Sequence, residues 1–537
     1  MKNTRAKKAV CLGLSALLGA SVLAGCAKGG DKGASAKGSP VTYAGEDIYP
    51  VQCSDTLKVW EPMNTLLTTR VSNFGETEVA KEIAKQSGIN VTYVHPASGM
   101  ETEQFNLMLA SNELPDIVKA DWYTYGGQKA INEKYILKLN DAIDTWAPNF
   151  KKLLESHQTL DKMVKTDEGN YYTMPFVREE ASQCVYSGPV IRKDWLNDLG
   201  LDVPETIDDW EVMLQAFKDK KGASAPLAFL FPNLEDGFLI GAWNITDDYY
   251  LDDAGKVQYG PAEASYKDFL TKMNEWYQKG LLDANFSSIE YKILNGYMLN
   301  GNTGATFGLA GGGVGAWLDA SKGKDGFDLI GAPYPVLHKG DRPQFGQREW
   351  EYVAAAGYCI SDKCVNPELA VRFLDFGYSE KGKMLYNFGI EGKSYELDSA
   401  GKPQFTDFIF NNPDGVQVST IFTEYSPASY SAPTVQSKTV QEAERTYDQQ
   451  NEAVANWAET DAEKHMLPPI ALTDEESSKI TSTLTSIKTY KEEMAYSFIM
   501  GTKPLSEFDE YISQLHSMGL DEILSIYNDA VARYDKR

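Results

Sequence analysis

The sequence predicts an α/β protein with a parallel sheet in its first part and a helical C-terminus. Three observations carry this. Between residues 57 and 118, short apolar stretches of strand character alternate with stretches of helical period. Their order (strand, helix, strand, helix, strand) calls for right-handed crossovers and parallel pairing. Residues 506–534 hold two consecutive apolar stripes at helical spacing.

Leu57-Lys58-Val59-Trp60 reads as a short buried strand. Over Glu76–Gln86, Val79, Ala80, Ile83 and Ala84 fall on one helical face, and Gly88 supplies the stop. Ile89, Val91 and Tyr93 alternate as in a strand. Gln104–Asn112 is a second amphipathic helix, ended at Leu114-Pro115, and Asp116-Ile117-Val118 opens a third strand. Ligands of parallel sheets sit outside the carboxyl ends of the strands, which directs attention to Trp60-Glu61 and Asp121-Trp122-Tyr123. Near the C-terminus, Ser506 reads as an N-cap with Asp509 three residues on. Phe508, Ile512, Leu515 and Met518 form one stripe, Gly519 ends it, and Leu520, Leu524, Tyr527, Val531 and Tyr534 form the next. Both stripes read as core packing.

The length of 537 residues suggests several domains' worth of chain, and 42% hydrophobic with 12% aromatic residues suits a folded protein. Asp and Glu number 76 against 51 Lys and Arg, a net charge of −25. That sign argues against nucleic acid as a partner and against adsorption of the folded body on an anionic membrane surface.

The first residues have a separate logic. Lys2, Arg5, Lys7 and Lys8 precede an apolar run from Ala9 to Leu23, which together spell an export signal. The run is short of the ~20 residues that span a bilayer. It ends in Leu23-Ala24-Gly25-Cys26, which resembles a lipobox: a peptidase cuts before a cysteine whose thiolate carries diacylglycerol. Removing residues 1–25 takes away four positive charges and no negative ones, so −25 becomes −29. Ala27–Pro40, rich in Gly, Ala, Ser and Lys, reads as a flexible tether.

Catalytic and metal motifs are not found. Cys53, Cys184, Cys359 and Cys364 lack the spacing and histidine partners of a zinc site and read as free thiols, with a disulfide as the alternative. The five histidines stand singly. Gly311-Gly312-Gly313-Val314-Gly315-Ala316 lies far from the first strand and reads as a turn between lobes rather than a dinucleotide loop. Asp247–Lys256 lacks the alternating oxygens of a calcium loop and reads as a hairpin turn around Asp253-Ala254-Gly255. No catalytic residue, metal ligand or cofactor is assigned. Trp60, Trp122, Tyr123, Tyr125, Trp243, Trp317 and Trp350 stand beside polar residues in expected loops. An aromatic plate with a polar rim suits the apolar C–H faces and hydroxyls of sugars.

Several motifs together resemble the bacterial extracellular solute-binding proteins (family 1), lipoprotein receptors of carbohydrate ABC importers, in their large Gram-positive branch. Phe105–Ile117 (FNLMLASNELPDI) is similar to the family's helix-to-strand signature. Val190–Asn197, Leu199-Gly200-Leu201 and Pro204-Glu205-Thr206 match its second-lobe entry. Tyr277–Asp283, Phe388–Lys393 and Ser497–Gly501 continue the likeness.

The resemblance implies a periplasmic-binding-protein-like α/β fold: two lobes, hinge crossings, ligand in the cleft between them, and a helical C-terminus. By analogy of chain order, 1–25 is the signal peptide, and 26–55 the lipidated Cys26 and tether. Lobe 1 is then 56–177, lobe 2 is 178–348, 349–425 returns to lobe 1, and 426–537 returns to lobe 2 with the C-terminal helices. It implies an extracellular, lipid-anchored receptor, not an enzyme, that captures an oligosaccharide and delivers it to ABC permease subunits. The expected contacts are Trp60, Glu61 and Asn64 after the first strand and Asp121, Trp122 and Tyr123 after the third. Arg178, Trp243, Trp317, Glu349 and Trp350 are expected from the hinge or second lobe. Rival readings are an oligopeptide or other solute receptor, a sugar-sensing accessory lipoprotein, and a lipid-anchored glycoside hydrolase, which would need two carboxylates across the cleft.

Overall fold

The computed structural model describes residues 38–537 apart from 44, 46 and 325. The export signal, Cys26 and the tether up to residue 37 lie outside the described residues. Gly38–Arg537 forms one compact unit.

In chain order, the first sheet receives β1 (Thr56–Trp60), α1 (Glu78–Ser87), β2 (Asn90–Val94), α2 (Glu101–Ser111), β3 (Ile117–Ala120), the single turn α3 (Trp122–Tyr125) and β4 (Met174–Arg178). A second region holds β5 (Ser187–Arg192), the hairpin β6 (Tyr249–Leu251) and β7 (Val257–Tyr259), β8 (Ala305–Leu309) and β9 (Leu329–Gly331). The chain then returns with β10 (Tyr352–Ile360) and β11 (Val435–Gln436). It ends in α4 (Asp448–Trp457), α5 (Asp474–Met500), α6 (Phe508–Met518) and α7 (Leu520–Tyr534).

The large sheet has the order β11-β4-β10-β3-β1-β2, and the smaller one the order β8-β5-β9. β1 pairs in parallel with β2 and β3. β10 runs antiparallel to both β3 and β4. Each sheet has its own core. Leu57, Val59, Ile117, Met174, Phe373 and Tyr425 belong to the first, and Trp210, Phe238, Trp276, Leu329 and Trp457 to the second.

Local chemistry explains the early elements. The Thr77 hydroxyl accepts from the Ala80 N–H and caps α1, while Gly88 ends it at φ 76°. A Cβ on Gly88 would also lie 2.0 Å from the Val51 carbonyl oxygen, so only glycine fits. In the second region, Trp457 of α4 lies on β5 and donates its indole N–H to the Pro189 carbonyl at 3.0 Å. That approach depends on Gly188, where a Cβ would meet the indole at 2.4 Å.

Four expectations change. Residues 38–55, grouped with the tether, are not free chain. Thr42–Tyr43 pairs with Val51–Gln52, and Asp55 accepts from Ser39 and Asn366. The return to lobe 2 at 426 is too early, because Val435 and Gln436 still pair in parallel with Val177 and Arg178. Sheet membership changes between Arg178 and Ser187 and between Gly331 and Tyr352, and after Gln436 the chain passes to α4, whose Trp457 lies in the second core, which makes three crossings. The glycine run Ala310–Gly315 is a π-helical turn inside the second region, held by the Gln450 amide on the Ala310 carbonyl, rather than a turn between lobes. Finally, Ser506 does not cap α6: a 3-10 turn over Leu505–Glu507 precedes it.

Candidate interlobe binding site

β1, β3 and β4 share one direction and β10 opposes it, so their carboxyl ends and the start of β10 meet along one sheet edge. That edge carries Trp60-Glu61, Asp121–Tyr123, Arg178 and Trp350–Tyr352.

A cavity of about 800 Å³ lies beside it. The first region contributes Tyr123, Trp350 and Tyr352, and the second contributes Glu235, Asp248, Tyr249 and Tyr259, with Lys488 and Glu492 from α5 and Tyr527 from α7. A strap, Leu467-Pro468-Pro469-Ile470, closes one side. The strap is fixed to the first region: the Tyr123 hydroxyl donates to the Ile470 carbonyl at 2.7 Å, and the Trp350 indole N–H to the Leu467 carbonyl at 3.0 Å. In the wall, Lys491 pairs with Asp247 at 2.6 Å, both fully buried, and Asp247 also accepts from the Tyr266 hydroxyl at 3.0 Å. Asp248 keeps contact with solvent but is walled by protein, and burial pushes its carboxyl up to about 6.

On the other side of α3 is a cavity of about 510 Å³ lined by Trp60, Phe105, Tyr125, Glu101, Lys119 and Asp121. Burial pulls the Lys119 ammonium down, although the nearby Glu61 carboxylate opposes this. Between the sheets, Arg178 pairs with Glu349 at 2.6 Å and donates to the Trp350 carbonyl at 3.1 Å. The Tyr186 hydroxyl donates to the same Glu349 carboxylate. Neighbouring Asp236 is pushed up to about 7, first by burial and then by Glu235 and Glu349. Among the described residues no group of three or more His, Cys, Asp or Glu could hold a metal. Asp252, in the suspected calcium loop, instead accepts the Ala254 and Lys256 N–H groups of the β6–β7 turn.

The structure sorts the expected contact residues. Tyr123 and Trp350 line the large cavity, Trp60 and Asp121 the smaller one, and Arg178 and Glu349 bridge between the sheets. Trp122 and Trp317 line neither cavity. Both are buried core residues whose indole N–H groups are taken by the Val118 carbonyl and by Asn295. Trp243 packs on Phe269 with ring centres 5.6 Å apart. Asn64 accepts from the Leu66 N–H in a local turn. Glu61 turns under the sheet edge, where it accepts from Tyr358 at 3.0 Å and burial raises its pKa. Sequence reading missed Tyr249, Tyr259 and the acidic residues of the β6–β7 region. The pair Tyr249-Tyr250 after Asp247-Asp248 was the available signal, and it was read only as a hairpin. Tyr527 was assigned to core packing.

Two cores, three crossings and an aromatic cavity between them define a two-lobe binding protein. The chain matches the family described as bacterial extracellular solute-binding protein over residues 73–384, and it belongs to that family. It is similar to the fructooligosaccharide ABC transporter substrate-binding protein FusA of Streptococcus pneumoniae serotype 4, 26% identical over 429 residues and 74% of each chain. The polygalacturonan/rhamnogalacturonan-binding protein YtcQ of Bacillus subtilis strain 168 is 23% identical over 474 residues, 84% of this chain and 87% of that one. Among solved structures, alginate-binding protein AlgQ2 superposes with a TM-score of 0.71 at 26% identity, covering 89% of this chain and 98% of AlgQ2.

Proposed function

We propose that this protein captures an oligosaccharide between its lobes and delivers it to an ABC permease, without chemical turnover. The single observation that carries the proposal is the cavity of about 800 Å³ with aromatic walls from both lobes: Tyr123 and Trp350 on one side, Tyr249, Tyr259 and Tyr527 on the other. Flat rings with polar rims suit pyranose and furanose faces, and such concave sites bury most of a ligand's surface. The sugar-binding names of the relatives support the same reading.

In this mechanism the ligand binds one lobe first, and contacts from the other lobe favour the closed form by differential affinity. Tyr123 and Trp350 are the sugar contacts of the first lobe in that cavity, while Trp60 and Asp121 line the smaller one. Arg178 and Glu349 hold the crossing strands. Arg178 is occupied by Glu349 at 2.6 Å, which leaves it poorly placed to receive a peptide carboxylate. Lipid on Cys26 would keep the protein at the outer face of the membrane, beside its permease.

The test is a thermal-shift screen against oligosaccharides and peptides, with product analysis of each hit. A sugar that raises the melting temperature with concentration and is recovered intact supports the reading. A cleaved sugar contradicts it, and a shift with peptides alone removes the carbohydrate.

A further inference from the structure

The relatives' names span two chemistries: alginate and polygalacturonan are polyanions, whereas fructooligosaccharides carry no charge. The charges in this cavity separate the two.

Among the described residues its only cations are Lys488 and Lys491, and both face a carboxylate of the same wall. Lys491 is 2.6 Å from Asp247, and Lys488 is 3.5 Å from Glu235. Asp248 and Glu492 also line the cavity and, among the described residues, pair with no cation within 4.0 Å. The nearest arginine of the crossing strands, Arg178, is held by Glu349. In the smaller cavity, Lys119 is buried and the carboxylate acting on it is Glu61, while Glu101 and Asp121 also line the wall. Among the described residues the large cavity therefore offers no uncommitted cation, and both cavities have carboxylates in excess.

We infer that the site takes an uncharged oligosaccharide and rejects polyuronides, an inference that rests on the carbohydrate reading above. A carboxylate is acceptor-only and accepts several hydrogen bonds. Surplus Asp248 and Glu492 are thus suited to hydroxyl donors, and charge-assisted bonds of that kind are the stronger ones. A chain with a carboxylate on every residue would place its charges against theirs, and it would lose its hydration without an arginine or lysine to replace it. Binding would then require breaking Lys491–Asp247 or Arg178–Glu349, each of which leaves a carboxylate unpaired.

The experiment is calorimetry on the purified protein at low ionic strength, with probes of matched length. The neutral arm uses fructo-, malto-, cello- and xylooligosaccharides and fully methyl-esterified oligogalacturonate. The charged arm uses oligogalacturonate and alginate oligomers. At least one neutral probe binds, and every charged probe binds at least tenfold more weakly than the best neutral one. A charged probe that binds as tightly, or within tenfold, overturns the inference and leaves the sugar-receptor reading standing. If no probe of either arm binds, the carbohydrate reading fails and this inference fails with it.

Discussion

Trp122, Trp317 and Trp350 look alike in the sequence: each is an indole beside polar residues in a short connection. The fold gives them different work. Trp122 and Trp317 are buried with their N–H groups satisfied, so alanine at either leaves a large void and costs about 3–5 kcal/mol in urea unfolding. Trp350 is half-buried on the cavity wall, so Trp350→Ala weakens sugar binding about tenfold or more, read by calorimetry, at a smaller cost in stability. Lys491 and Asp247 are 3% and 1% exposed. Lys491→Met strands a buried carboxylate and lowers stability by about 3–5 kcal/mol. Asp236 gives a pH signature. Its carboxyl titrates near 7 in the folded protein, above the unfolded value, so between those values the folded form holds the extra proton. Its contribution to stability is therefore largest at low pH and declines as pH rises toward 7. Asp236→Asn should remove that decline in the difference between urea midpoints measured from pH 5 to 8. None of this sorting was legible in the sequence, because it depends on which partner each side chain meets across hundreds of residues.

At the scale of elements, α1 and β2 were readable because their determinants are local: a threonine cap, four apolar residues on one face, and a glycine at positive φ. The C-terminal stripes were readable as helices, but their destination was not. α7 begins in the second core with Leu520, Ile523 and Ile526 and ends in the first with Tyr534. Its last turn is clasped there: Arg533 contacts Asp167 at 2.8 Å and Glu476 at 2.7 Å, and Arg537 also reaches Asp167. Together with the 467–470 strap, this ties the two lobes outside the three crossings. Arg533 is partly solvated but the Arg537 side chain is only 2% exposed, so Asp167→Ala leaves a buried guanidinium without its carboxylate and should lower global stability by about 3 kcal/mol. Amide exchange over residues 526–537 should speed up most, measured by mass spectrometry, because the helix end loses its anchor.

For the whole molecule, the α/β class followed from strand–helix alternation, whereas the third crossing did not. β11 is two residues long, and nothing in Val435–Gln436 announces a strand. Its place is set by parallel pairing with Val177 and Arg178 at the sheet edge. The cavity has the same origin: its aromatic walls come from segments as distant as Tyr123, Tyr249, Trp350 and Tyr527, which only the two-lobe arrangement brings together. At this scale the proposal is capture between lobes without chemistry. Small-angle scattering of the purified protein, titrated with the neutral oligosaccharide that binds most tightly, tests it most directly when the ligand is recovered and weighed afterwards. Closure on the ligand gives a smaller radius of gyration at saturation and an intact sugar. An unchanged radius at saturation, or a cleaved sugar, would contradict it.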